Sequence, residues 1–250
     1  MTVKGSPHHD GAGDGSPAWP PTPIGRVAAP LRDQVLDVVR QGILDFQLRP
    51  GQRLIERELM EQLGVSRATV REVVARLESE GLVTTIPQRG AIVTVLTVPE
   101  AADIYEMRVA LEALAVKHFV ERATAQQVKD IRATFDLLAA IPESESSTVE
   151  RLRAKDAFYR VLLDGAASPP LTQTLTSLQS RVRLLRQNSL SVPGRAEQTV
   201  REIGAIVDAI EAGDAVAAGE ACATHVRNAA AAGLARMEET ERVTTPRLAR

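Results

Sequence analysis

The sequence predicts a mainly α-helical fold in two parts: three short helices closed by a β-hairpin, then a bundle of six longer helices. Three observations predict it. Apolar residues recur at helical spacing from Leu31 almost to the C-terminus. One pair of β-prone runs, 83–86 and 91–96, flanks a Pro87-Gln88-Arg89-Gly90 turn and reads as a single hairpin. Beyond it, Thr97, Thr124 and Ser147 are each followed three positions later by Glu or Gln, the pattern with which a hydroxyl side chain and an acid or amide cap a helix start.

In chain order, residues 1–28 are dense in Gly, Pro, Ser and Asp and lack periodic apolar positions, so a disordered arm is expected, with His8, His9 and Trp19 in it as solvated side chains. Leu31, Val35, Val38, Val39, Ile43 and Phe46 then mark a helix that Pro50-Gly51 stops. A second helix spans 56–63 on Leu59, Met60 and Leu63, and ends at Gly64. The third opens at Ser66, whose hydroxyl suits an N-cap, and turns Val70, Val73, Val74 and Leu77 inward. Arg67 and Arg71 lie one turn apart on its other face, near the end where free backbone N–H groups already favour an anion. A short helix with arginines at its exposed N-terminus, preceded by a helix and a Gly turn, is what the DNA major groove admits. Residues 29–96 are therefore expected to form a winged helix-turn-helix DNA-binding domain. Residues 97–238 are expected to form an all-helical domain with helices at 98–122, 124–140, 148–164, 169–190, 195–212 and 214–238, followed by a flexible tail at 239–250.

Composition narrows the function. The 250 residues are 44% hydrophobic with a net charge of −2, enough apolar content for sizeable cores and no polycation that coats nucleic acid. No run approaches a membrane span and no secretory signal opens the chain, so a cytoplasmic protein is expected. The single cysteine, Cys222, excludes an internal disulfide framework and a four-cysteine zinc site. Residues 30–96 carry nine arginines, no lysine and nine acids, a formal balance of zero. DNA affinity must then come from placement of a few arginines, with Arg57, Arg67, Arg71 and Arg89 as the candidates.

The line QRLIERELMEQLGVSRATVREVVARLESEGLVTTIPQRGAIV at 52–93 resembles the winged helix-turn-helix of the GntR family of bacterial transcription regulators, and residues 99–235 are similar to the helical FCD domain of its FadR-like subfamily. The resemblance implies DNA contacts at Arg57, Ser66, Arg67, Arg71, Arg89 and Gly90. It implies a homodimer on a two-fold operator in double-stranded DNA, controlled by a small-molecule effector, with repression the commoner mode. No catalytic residue is implied, because nothing pairs a nucleophile with a base.

FCD domains commonly hold a divalent metal with one Asp and three His. The resemblance places these positions at Asp156, Arg160, Ile203 and His225, so two of four ligands are missing and no metal cofactor is expected. Arg108, Asp156, Arg160 and His225 become the candidate effector residues, and an organic acid the preferred effector class. Arg160 could instead pair with Asp156. Arg108 is expected to pair with Glu112 at the surface, and Arg181, Arg183 and Arg186 to face mostly water. Cys222 either belongs to the apolar stripe Ala218, Cys222, Val226 and Ala229 or joins His225 in a residual zinc site. Two rival functions stay open: an effector-independent DNA binder whose helical half only dimerises, and a helical metal-dependent enzyme.

Overall fold

A computed structural model describes residues 31–142, 147–190 and 192–244, with backbone alone at 179, 180, 187, 243 and 244. Its elements run α1 (Leu31–Leu44), α2 (Glu56–Leu63), α3 (Arg67–Ser79), β1 (Val83–Ile86), β2 (Gly90–Val93), α4 (Val98–Arg122), α5 (Ala125–Ala139), α6 (Thr148–Ala166), α7 (Pro169–Leu190), α8 (Arg195–Glu211) and α9 (Ala215–Thr244). The expected arm at 1–28 and the last residues of the expected tail, 245–250, lie outside the described residues.

The first unit packs α1, α2 and α3 on a core of Val35, Val39, Ile43, Leu54, Val70, Val73, Leu77 and Leu82. Ser66 caps α3 by accepting a bond from the Thr69 backbone N–H at 3.2 Å. Gly64 ends α2 at φ 65°, a left-handed conformation that costs glycine little. β1 and β2 pair antiparallel from Val83↔Val93 to Ile86↔Gly90, and Gly90 has φ 80°.

In the second unit α4 lies along α9, with α6, α7 and α8 around them and α5 against α6 and α8. The capping boxes at Thr97 and Thr124 form as the sequence implies. The one at Ser147 does not: Ser147 is already in the right-handed helical region at ψ −1° and makes no side-chain cap bond. At the other end, α9 continues to Thr244 where a flexible tail was expected from 239. The pairs Arg236–Glu239 at 3.4 Å and Arg242–Glu238 at 3.0 Å lie at helical spacing there and support the extra turns.

α1 also departs from expectation, stopping at Leu44 rather than at Pro50. Phe46 takes φ 61°, and the chain turns so that α1's free end meets the bundle. Arg183 Nε of α7 donates to the Leu44 carbonyl at 3.1 Å, and its Nη2 reaches Asp45 at 2.9 Å. A helix C-terminus needs partners for its last carbonyls, and here a guanidinium from the other unit supplies one.

Candidate functional site

At the outer face of the first unit, α3 projects Arg67 from its first position and Arg71 from one turn later, both exposed. Neither is unpartnered. Glu56, in the first turn of α2, lies 3.1 Å from Arg71 Nε and 3.9 Å from Arg67 Nε. The acid partner is thus on the neighbouring helix α2. Arg57 is exposed on α2 with Glu61 3.9 Å away, and Arg89 is exposed in the turn before Gly90. Sequence reasoning missed Arg53, whose backbone bridges to Ile92 and whose guanidinium lies beside Gly90. A wing glycine next to an exposed arginine brings the hairpin backbone and a forked donor to the same edge. Ser66, Arg67, Arg71, Arg53, Arg89 and Gly90 offer the donors that phosphates and guanine edges accept.

The bundle interior holds a second site, different from the one the sequence led us to expect. α6 turns Lys155 and Tyr159 inward, both buried, while Arg160 is exposed and Asp156 faces sideways to α7. Asp156 receives bonds from Arg183 Nη1 and from Arg186 Nη1, the latter at 3.1 Å. The expected Asp156–Arg160 pocket pair is therefore corrected by one residue. Successive residues on a helix differ by about 100° in direction, so this small shift exchanges the inner face for the outer.

Around Lys155 and Tyr159 the other helices contribute further polar groups. Arg108 Nε donates to Glu112 Oε1 at 2.7 Å and the Tyr159 hydroxyl donates to Glu112 Oε2 at 2.6 Å. The Arg108–Glu112 pair is fully buried, not the surface pair expected. Arg186 stacks its guanidinium 4.0 Å above the Tyr159 ring; it and Arg183 are buried, whereas Arg181 is exposed. Glu202 gathers three donors: His225 Nδ1 at 2.6 Å, Arg195 Nη2 at 2.8 Å and Asn228 Nδ2 at 2.7 Å. With its Nδ1 proton given to Glu202, His225 keeps Nε2 as an acceptor, and Lys155 Nζ stands 3.4 Å from it.

The charges in this cluster oppose one another. Burial alone would raise the Glu112 pKa, but Arg108 and then Arg186 outweigh it and bring the carboxyl to about 2. Glu202 also falls to about 2, its burial outweighed by the bonds from His225 and Asn228. Burial and next the Lys155 charge push His225 down to about 3, so its imidazole is neutral at physiological pH. Burial, with Arg186, Arg108 and Arg195 adding repulsion, lowers Lys155 well below the ordinary lysine range. Burial raises the Cys222 thiol far above its ordinary value, which suits the apolar stripe it occupies with Ala218, Val226 and Ala229. Five guanidinium nitrogens in the cluster are buried without a hydrogen-bond partner: Arg108 Nη1 and Nη2, Arg195 Nε and Nη1, and Arg186 Nε.

Lys155, Tyr159, Arg186, Arg195 and Glu202 were not nominated from the sequence. The available signal was the Lys155–Tyr159 spacing of four, with Leu152 and Phe158 fixing the phase of the helix.

Comparison with known proteins places both halves. Residues 31–93 match the profile of the bacterial regulatory proteins of the gntR family, and residues 103–228 match that of the FCD domain. The chain is 36% identical to the Nta operon transcriptional regulator of Aminobacter aminovorans over 144 residues, covering 57% of this chain and 67% of that protein. It is 33% identical over 223 residues, 78% of this chain and 83% of the other, to a regulatory protein assigned to the L-lactate dehydrogenase operon of Escherichia coli. Among solved structures, a GntR protein of Rhodococcus sp. RHA1 superposes with a TM-score of 0.70 at 25% identity, covering 82% of this chain and 97% of that one.

Proposed function

Since this chain belongs to the GntR family of bacterial regulatory proteins and carries an FCD domain, it is a transcription regulator with a DNA-binding domain, not an enzyme, and we propose that it works as an effector-controlled homodimeric repressor in the cytoplasm. Two copies of the winged helix would read a two-fold related operator in double-stranded DNA. Arg67 and Arg71 carry the direct contacts, Ser66, Arg57 and Arg53 the neighbouring backbone, and Arg89 with Gly90 the wing. The repressor mode rests on the family resemblance.

The effector is an organic acid held inside the bundle, and one observation carries this: five unpartnered guanidinium nitrogens buried on Arg108, Arg186 and Arg195. A buried donor without an acceptor is costly, and an anion removes that cost. Of the expected effector residues Arg108 keeps its place, His225 becomes a neutral neighbour, Asp156 belongs to the rim, and Arg160 leaves the site. The donor set does not fit the family's divalent metal. Lys155 and Tyr159 are the inward residues of α6, Ile203 is apolar, and among the described residues of the cluster His225 alone offers an imidazole.

The route from this site to the DNA-binding half is short. Arg186 shares Asp156 with Arg183, and Arg183 holds the Leu44 carbonyl and Asp45 at the end of α1. An anion that draws Arg186 from Asp156 alters the grip on α1, and its preference for one arrangement over the other shifts the population. DNA selected from a random pool by the purified protein, followed by anisotropy titration with carboxylic acids, tests the scheme. Arg67→Ala and Arg71→Ala should each weaken binding by about 1–3 kcal/mol. Unchanged binding in both variants refutes the DNA contacts, and indifference of the complex to every acid refutes effector control.

A further inference from the structure

A cleft of about 290 Å³ opens where the end of α5 and the first turns of α6 and α8 meet, lined by Ile141, Arg151, Ala196, Glu197, Val200 and Arg201. It shares no residue with the cluster around Glu112 and Glu202. Arg151 forms its buried wall. The side chain is 3% exposed, and no carboxylate pairs with it among the described residues. Its Nη2 donates to the Ile141 and Pro142 carbonyls at 3.4 and 2.7 Å and so closes the end of α5. That structural task occupies one nitrogen. Nε is buried with no partner, and Nη1 makes no hydrogen bond among the described residues. A buried guanidinium left this way is costly, and at the edge of an open cleft an anion from solvent removes the cost.

The facing wall offers donors of its own. α8 starts from Gly194 at φ 75° with no side-chain cap bond, and the N–H groups of Ala196 and Glu197 in its first turn have no acceptor within the helix. A helix start of this kind favours an anion. Arg201, one turn beyond Glu197, adds a second guanidinium. Glu197 serves the helix start in the absence of an anion, but it is 68% exposed and 3.8 Å from an Arg201 that is 69% exposed, a loose surface pair that an incoming anion displaces. Arg151 and Arg201 against Glu197 leave the cleft with one positive charge in excess.

We propose that this cleft binds a phosphate group, as the inorganic ion or as the phosphate of a small ester, with Arg151 and Arg201 as side-chain donors and the first turn of α8 as the backbone donor. A phosphate dianion gains more than a carboxylate from two cations and a helix start, and its tetrahedral oxygens face both walls at once. The site is independent of the effector reading above, and neither rests on the other.

Calorimetric titration of the full-length protein with inorganic phosphate, glycerol 3-phosphate and acetate is the test, repeated on Arg151→Lys, Arg201→Gln and Glu197→Gln with circular dichroism to check folding. Phosphate or its ester should bind saturably and tighter than acetate. Arg151→Lys should weaken that binding by about tenfold or more, Arg201→Gln should weaken it less, and Glu197→Gln should strengthen it. A preference for the ester or for the free ion names the source and supports the site in either case. Absence of saturable binding by both phosphates overturns the site, and acetate binding as tightly overturns the phosphate class. Arg201 and Glu197 are exposed, so their variants keep the test decisive if Arg151→Lys does not fold: phosphate binding unchanged in both places the anion elsewhere and overturns the assignment. No outcome depends on operator binding or on the response to carboxylic acids.

Discussion

Replacing Lys155 with methionine should make the ligand-free protein more stable. The ammonium is 2% exposed, its one hydrogen-bond contact is His225 Nε2 at 3.4 Å, and no carboxylate pairs with it among the described ion pairs. Around it stand Arg108 and Glu112 from α4, Tyr159 from its own helix, Arg186 from α7, Arg195 and Glu202 from α8, and His225 and Cys222 from α9. Methionine nearly preserves the stem and removes the charge. Exchanging an amine that must give up its proton on folding, or bury it poorly compensated, for an apolar side chain gains about 1–4 kcal/mol. Leaving His225 Nε2 without its donor costs about 1 kcal/mol, so a net gain of about 1–3 kcal/mol is expected. For a chain of this size that raises Tm by about 3–10 °C at pH 7. The sign of the pH dependence follows from the lowered lysine. In the wild type the unfolded chain takes up a proton below its value of 10.5 while the folded chain resists, so stability is lost as pH falls from there. The advantage of Lys155→Met should therefore be largest near neutrality and shrink as pH rises toward 10. Scanning calorimetry at pH 7 and 10 decides it: a variant that melts at or below the wild type at pH 7, or whose gain does not shrink at pH 10, refutes the reasoning.

Glu56→Gln should strengthen operator binding several-fold in an anisotropy titration, because Arg67 and Arg71 would no longer trade a carboxylate partner for phosphate. Arg183→Ala removes the cation shared by Asp45 and Asp156, at a cost below the about 3–5 kcal/mol of an uncompensated buried charge because Arg153 and Arg186 remain, and should split thermal unfolding into two transitions as the halves uncouple. On the acid side, His225 is held neutral with its pKa at about 3, so its share of the stability is present above 6.5 and lost as pH falls toward 3. Urea unfolding should show stability declining between pH 6.5 and 5, before Glu112 and Glu202 lose theirs between 4.5 and about 2, and His225→Gln should flatten the first decline.

The recognition helix was legible because its determinants are local: the Ser66 cap reaches only to Thr69, Gly64 ends α2 in its own turn, and Val70, Val73 and Leu77 set the phase at spacings of three and four. Helix phase in α6 was harder. Asp156 and Arg160 have the same spacing as Lys155 and Tyr159, and although Leu152 and Phe158 set which face is apolar, two polar pairs one residue apart both border it. The choice is made elsewhere, by Glu112 accepting from Tyr159 and by Arg183 and Arg186 drawing Asp156 aside. The burial of Arg183 and Arg186 was invisible for the same reason. A guanidinium is buried only where tertiary partners meet it, and Asp45 lies 138 positions away from Arg183. The early end of α1 at Leu44 likewise depends on a partner from α7.

The guanidiniums of Arg108, Arg186 and Arg195 give the bundle cations that are part of the polypeptide. In the proposed metal-free regulator, every newly made copy leaves the ribosome already carrying its central positive charge, with no loading step, no competition for scarce ions and no sensitivity to chelators. Such a protein reports on its metabolite alone, and its sensitivity stays the same whether the cell is rich or poor in transition metals.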